Sequence, residues 1–182
     1  MGPWRWFTRT MTIVSGPEVV QRPQAFYVGF RDSVPFRGLA AHTAAMHAEF
    51  AKWVLAHSVA TVGPQFLRLH VIDSSGQATV SVAMPVASAD LSGAAAGADR
   101  DPRLVADVVP AGRYATLTYM NDGIGANTTL TKWCAAQGFE IDRLWDETGN
   151  TFVARLETLV TGPARASRAA RPHVRLDFKL AD

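Results

Sequence analysis

The apolar positions of this 182-residue chain change period several times, and each change marks an element. In Gln24–Arg31, Phe26, Val28 and Phe30 alternate with other side chains, which predicts a strand packed on one face. From about Pro35 to His57, Leu39, Thr43, Met46, Phe50, Trp53 and His57 recur every three or four residues. That spacing predicts a helix, with Pro35 suited to a first turn that needs no N–H. Gly63-Pro64 breaks the pattern, and Phe66–Asp73 and Ala78–Val86 follow as strands joined by a Ser-Ser-Gly-Gln turn.

A second series then repeats the order. Asp107–Met120 reads as a strand interrupted at Pro110–Gly112. Residues from Gly125 to Gln137 read as a helix, with Asn127 or Asp122 as its cap and Gly138 as its stop. Thr151–Thr161 and His173–Leu180 close the series as strands, the last alternating Val174, Leu176, Phe178 and Leu180. The pattern predicts an α+β fold: a β-α-β-β module used twice, at about 17–87 and 104–181, giving one antiparallel sheet with both helices packed on one face. Residues 87–103 and 162–172 read as connectors, being rich in Ala, Gly and Ser and poor in bulky apolar groups. Residues 1–16 read as a disordered leader, so the domain is expected over 17–182.

Composition narrows the function classes. With 48% hydrophobic and 19% charged residues the chain can bury a core. A net charge of +2 gives little footing for phosphate-rich partners, so direct nucleic-acid binding is not expected. The high isoelectric point, about 9.0, reflects two extra cations on a nearly balanced chain. A single cysteine, Cys134, allows no internal disulfide and fits a reducing, cytoplasmic setting. No apolar run is long enough for a membrane span. His42 and His47 stand five apart and do not share a helical face, so no metal ligand set is expected. No phosphate loop, nucleophile elbow or zinc spacing appears, and no cofactor is expected. Arg165, Arg168 and Arg171 read as a solvated basic loop.

One carboxylate stands out. Glu157 lies in the apolar run Phe152–Pro163, where alternation sets Val153, Arg155, Glu157 and Leu159 against Phe152, Ala154, Leu156 and Thr158. If the second set faces the core, Glu157 is a solvated strand residue. If the first set faces a cleft, it is a carboxylate placed to pair with a cation or move a proton. Trp53 and Trp133 fall at similar points of the two helices and read either as core packing or as the aromatic wall of a pocket. Tyr119, at a strand end beside the second helix, has the same choice and adds a hydroxyl. Cys134 reads as helix packing.

Several stretches taken in order resemble the GyrI-like small-molecule-binding domain, also found as the effector-binding part of AraC- and MerR-type regulators. They are Gly-Pro-Gln-Phe-Leu-Arg-Leu-His-Val-Ile-Asp at 63–73, Val-Ser-Val-Ala-Met-Pro-Val-Ala at 80–87, the Pro-Ala-Gly-Arg-Tyr-Ala segment at 110–115, Leu-Thr-Lys-Trp-Cys-Ala-Ala-Gln-Gly at 130–138, Glu-Thr-Leu-Val-Thr-Gly-Pro at 157–163 and the strand at 174–180. The resemblance covers about 17–181. It implies a ligand cleft on the pseudo-twofold axis between the two modules, with Glu157 as its acidic residue and Tyr119, Trp53, Trp133 and Phe30 as its aromatic lining. Four features depart from the family pattern: Leu159 replaces its Tyr, Gly162 its Asp, Ile124 stands where an aromatic is common, and the Trp often found before the last strand is absent from Ala-Ser-Arg-Ala-Ala-Arg-Pro-His at 166–173.

The resemblance therefore implies a stand-alone small-molecule-binding protein that takes an apolar ligand, cationic or planar. It would act as monomer or homodimer, with a regulatory protein partner as a further role. Some family members are hydrolases of strained electrophiles. In such an enzyme Glu157 would be the general acid/base, and the leucine at 159 weighs against it. A protein-interaction module is the third expectation.

Overall fold

A computed structural model describes residues 11–88, 101–160 and 173–182. The connector residues 89–100 and 161–172, with Arg165, Arg168 and Arg171, lie outside the described residues, as do residues 1–10 of the expected leader. The chain runs β1 (Thr12–Arg22), β2 (Ala25–Pro35), α1 (Leu39–Ala56), β3 (Phe66–Asp73), β4 (Gln77–Val86), β5 (Leu104–Val109), β6 (Gly112–Met120), α2 (Gly123–Ala136), β7 (Arg143–Asp146), β8 (Gly149–Val160) and β9 (His173–Lys179). The strands form one antiparallel sheet in the order β1-β6-β9-β8-β3-β4-β2-β5, with β7 paired to β8.

The expected α+β architecture is the one observed, with three corrections. Residues 12–16, expected as part of a leader, belong to β1, which begins at Thr12. Its first five residues are exposed, so no alternation marks them; backbone pairing with β6 makes them a strand. Pro35 closes β2 and does not open α1, whose N-cap is Gly38 in the left-handed region with φ 89°. The expected strand 107–120 is two strands, since Pro110 lacks a donor and Gly112 takes φ 143°. At the second helix the choice of cap is settled: Asp122 accepts from the Gly125 N–H at 3.0 Å.

The split at Pro110 has a large consequence. Arg22 faces Gly112 and Ala25 faces Val109, one unbroken register across Pro23-Gln24 and Pro110-Ala111. β1–β2 and β5–β6 are thus a single two-stranded ribbon bent at its prolines. One half joins the sheet through β6 beside β9, the other through β2 beside β4. The ribbon folds the sheet back over its inner face, where Tyr27, Phe66, Val109, Tyr114, Ala154 and Leu156 form one buried cluster.

On the outer face the helices cover two separate cores. Met46, Phe50 and Val54 of α1 pack on Val28, Phe30, Leu67, Val80 and Val82. Ala126, Leu130 and Cys134 of α2 pack on Ala115, Leu117, Leu176 and Phe178. Cys134 is a core residue, and burial pushes its thiol up.

Candidate functional site between the helices

Directly opposed residues of antiparallel strands point to the same side of a sheet. Val82, Leu67, Glu157, Leu176 and Leu117 are opposed in turn across β4, β3, β8, β9 and β6. Leu67 belongs to the core under α1, and Leu176 and Leu117 to the core under α2. Both helices therefore lie on the same face, and Glu157 stands on the floor between them. The next row reads Val80, Leu69, Arg155, Phe178 and Ala115. Two charged side chains, two residues apart on β8, thus interrupt two otherwise apolar rows at the middle of the sheet. Of the alternatives open in the sequence, the structure takes the one in which Arg155 and Glu157 share a face with the helices, while past the register shift Phe152, from the other set, packs in the core under α1.

Around Glu157 the polar groups converge. Asn127 of α2 donates from Nδ2 to the Glu157 Oε1 at 3.4 Å and to the Gly123 carbonyl at 2.7 Å. Tyr119, 5% exposed at the end of β6, directs its hydroxyl to the same carboxylate. Burial raises the Tyr119 phenol above its ordinary range and the Glu157 charge adds to this, so the hydroxyl stays a donor at neutral pH. The opposite wall is α1. There Gln65 donates to the His47 carbonyl at 3.1 Å and accepts the Leu159 N–H at 3.2 Å, which sets the His47 flank of α1 beside β8. Burial holds the His47 imidazole below its usual value.

The helical period separates the remaining aromatics from this groove. Residues six apart point about 120° apart. Asn127 and Trp133 stand in that relation on α2, and His47 and Trp53 on α1. Trp133 meets Phe139, with ring centroids 5.7 Å apart. Trp53 stacks on Phe50 at 5.9 Å and on His57 at 4.4 Å. Phe30 lies in the Glu157 row but three strands away, roughly 14 Å at ordinary strand spacing, packed against Phe50. The structure thus brings Tyr119 to Glu157 and packs Trp53, Trp133 and Phe30 against the cores under the two helices. Arg155, Asn127 and His47 join the groove without having been singled out. Arg155 had a signal, the two-residue period it shares with Glu157; the other two needed the helix orientation.

The inner face carries a different constellation. An apolar cavity of about 220 Å³ opens at the ribbon bend, lined by Ala25, Phe26, Phe66, Pro85, Val109 and Leu156 among others. Beside it Arg68 donates to the Val108 and Val153 carbonyls at 2.7 and 2.9 Å, and Arg31 pairs with Asp107. His70, whose Nε2 lies 2.8 Å from the Ser81 hydroxyl, is held down to about 3 by burial and then by the Arg68 and Arg31 charges. The folded chain therefore refuses a proton that the unfolded chain accepts below about pH 6.5. Stability should fall with falling pH from about 6 toward 3, by about 1.4 kcal/mol per pH unit from this group. Urea unfolding across that range checks it: His70→Asn should flatten the slope, and an unchanged slope would show that another group governs it.

No family model matches the chain, and no curated protein matches it in sequence. Solved structures do match in fold. The C-terminal domain of EcmrR superposes with a TM-score of 0.60 at 13% identity, over 91% of this chain and 96% of that domain. In the EcmrR–DNA complex the chain spans 56% of the EcmrR polypeptide and 90% of itself, with a TM-score of 0.61 at 13% identity. SAV2435 bound to tetraphenylphosphonium matches with a TM-score of 0.55 at 8% identity, over 90% of this chain and 93% of that one. The fold is GyrI-like. A hydrolase from Listeria innocua shares it, with a TM-score of 0.56 at 12% identity over 90% of this chain and 91% of that one. Among the described residues of this GyrI-like fold, no helix is long and apolar enough to cross a membrane.

Proposed function

We propose that this protein binds an apolar, ring-bearing small molecule in the groove between α1 and α2, and that Glu157 is the charged anchor of the site. The observation that carries this is the position of Glu157. It stands between two apolar cores at the centre of the sheet, with Tyr119 and Asn127 directed at its carboxylate. The tetraphenylphosphonium found on SAV2435, which has the same fold, is a lipophilic cation and supports the reading. Neighbouring apolar side chains supply contact area, while a carboxylate in a partly dehydrated site rewards a ligand that brings a positive charge or a donor. Tyr119 and Asn127 hold the carboxylate in place before the ligand arrives, which lowers the ordering cost of binding.

The test is a matched pair of probes, biphenyl-4-yltrimethylammonium and its neutral tert-butyl isostere, titrated calorimetrically into wild type and Glu157→Gln. The cation should bind wild type at least tenfold more tightly than the neutral probe, and Glu157→Gln should erase that difference. Equal affinity for the two probes in wild type and variant would overturn the role of Glu157. Ligand at 100 times its dissociation constant should also raise wild-type stability by about 2.7 kcal/mol, read as a thermal shift.

A further inference from the structure

Arg155 is the feature of the groove that a site for simple cations does not explain. It stands on the groove floor in the row beside Glu157, opposed to Leu69 on one side and Phe178 on the other. Its side chain is half-buried and its guanidinium lies over two ring faces, 5.1 Å from the Phe152 centroid and 5.6 Å from that of Phe178. Its Nε is enclosed and has no hydrogen-bond partner. Among the described residues no carboxylate comes within ion-pair distance of it, although seven such pairs form elsewhere. The other buried cations of the sheet differ: Arg68 bonds two carbonyls, and Lys179 pairs with Asp142 at 2.8 Å. The Asn127 Oδ1 on the groove wall is likewise enclosed without a partner.

An enclosed cation without an anion is costly, and its nearest compensation is the field of Glu157 across the floor. The ring faces stabilise the guanidinium but leave its donors unused. A planar fork of N–H groups matches a carboxylate or other oxyanion in two-point contact. Glu157 and Arg155 together present opposite charges side by side. A lone lipophilic cation would satisfy the first and leave the second without an anion.

Resting on the groove reading above, we infer that the ligand of this site is a zwitterionic aromatic, with its cationic or donor end at Glu157 and its carboxylate or equivalent oxyanion at Arg155. Arg155 is then the specificity-determining residue. It accepts the anionic end and so ranks molecules that carry both charges above those that bring only positive charge.

A biphenyl series tests this: 4′-(aminomethyl)biphenyl-4-carboxylate as zwitterion, biphenyl-4-ylmethylamine as monocation and biphenyl-4-carboxylate as monoanion, each titrated at pH 7. Wild type should bind the zwitterion at least tenfold more tightly than either partner compound. In Arg155→Leu the zwitterion should weaken at least tenfold while the monocation binds as well or better. Arg155→Lys, which keeps the charge but loses the two-point fork, should retain only part of the preference. The wild-type ranking needs no variant, so it stands even where a substitution unsettles the fold. A monocation that binds wild type as tightly as the zwitterion overturns the inference and leaves the groove reading intact. Failure of all three compounds to bind overturns both.

Discussion

Phe50→Ala should lower the stability of the protein by about 3–5 kcal/mol, with a fall in melting temperature of roughly 10 °C for a chain of this size. Phe50 is fully buried at the centre of α1. Its ring meets Phe30 edge-on at 5.2 Å and lies nearly parallel to Trp53 at 5.9 Å, so it joins helix to sheet. Truncation removes the transfer energy of the ring and leaves a cavity that rigid strands β2 and β4 cannot fill. The effect reaches the groove, because the α1 wall loses its anchor. Leu55 on the same helix is 79% exposed, and Leu55→Ala should change stability by less than about 0.5 kcal/mol. Thermal and urea unfolding of the pair decide the matter. A Phe50→Ala loss below about 1 kcal/mol would mean that α1 does not dock on the sheet through this ring.

Asp177→Ala should be the second large loss, about 3 kcal/mol. Asp177 is fully buried on the inner face of β9, where its carboxylate accepts from Arg22 at 2.7 Å and from Arg175 at 3.1 Å. Arg22 belongs to β1 at the ribbon bend, so this contact ties the ribbon to the body of the sheet. Removing the carboxylate strands two cations, and breaking a buried pair by deleting one partner costs about 3–5 kcal/mol. The lower end applies because Arg22 and Arg175 keep 23% and 35% of their side-chain surface in water. A double-mutant cycle with Arg22→Ala isolates the pair, and a coupling of at least 1 kcal/mol is expected. A coupling near zero would show that the ribbon is held by its apolar contacts alone. Glu157→Gln should leave stability nearly unchanged by comparison, which separates binding from folding in the tests above.

Much of the fold was legible in the residues because its signals are local. The strand Phe66–Asp73 has the boundaries its alternation gives, and α1 and α2 fall where the period of 3.6 sets them. β1 and β7 were not legible, since the first half of β1 and all of β7 are exposed and carry no one-sided pattern. Both exist because a neighbouring strand offers backbone partners, β6 for the one and β8 for the other. The division of residues 107–120 was marked by Pro110 and Gly112. That the two parts pair with opposite ends of the sheet was not marked, because strand order is a property of contacts between distant segments.

The same boundary runs through the site. By itself the sequence determined that Glu157 and Arg155 share one face of a strand, since that face follows from a period of two. It also singled out Tyr119 and Glu157, two residues that the structure then joins. It could not tell a solvated face from a covered one: alternation labels two faces and leaves open which one a helix will pack against. Only the tertiary structure decided that. The registers of β4, β3, β8, β9 and β6 carry the apolar rows of two helices through Glu157 and Arg155. Helix rotation, fixed by the packing of Phe50 and Leu130, brings Asn127 to Glu157 and packs Trp53 and Trp133 against the two cores. Side-chain identity is local, whereas burial and neighbourhood arise from segments far apart in the chain, as Leu67 and Glu157 are.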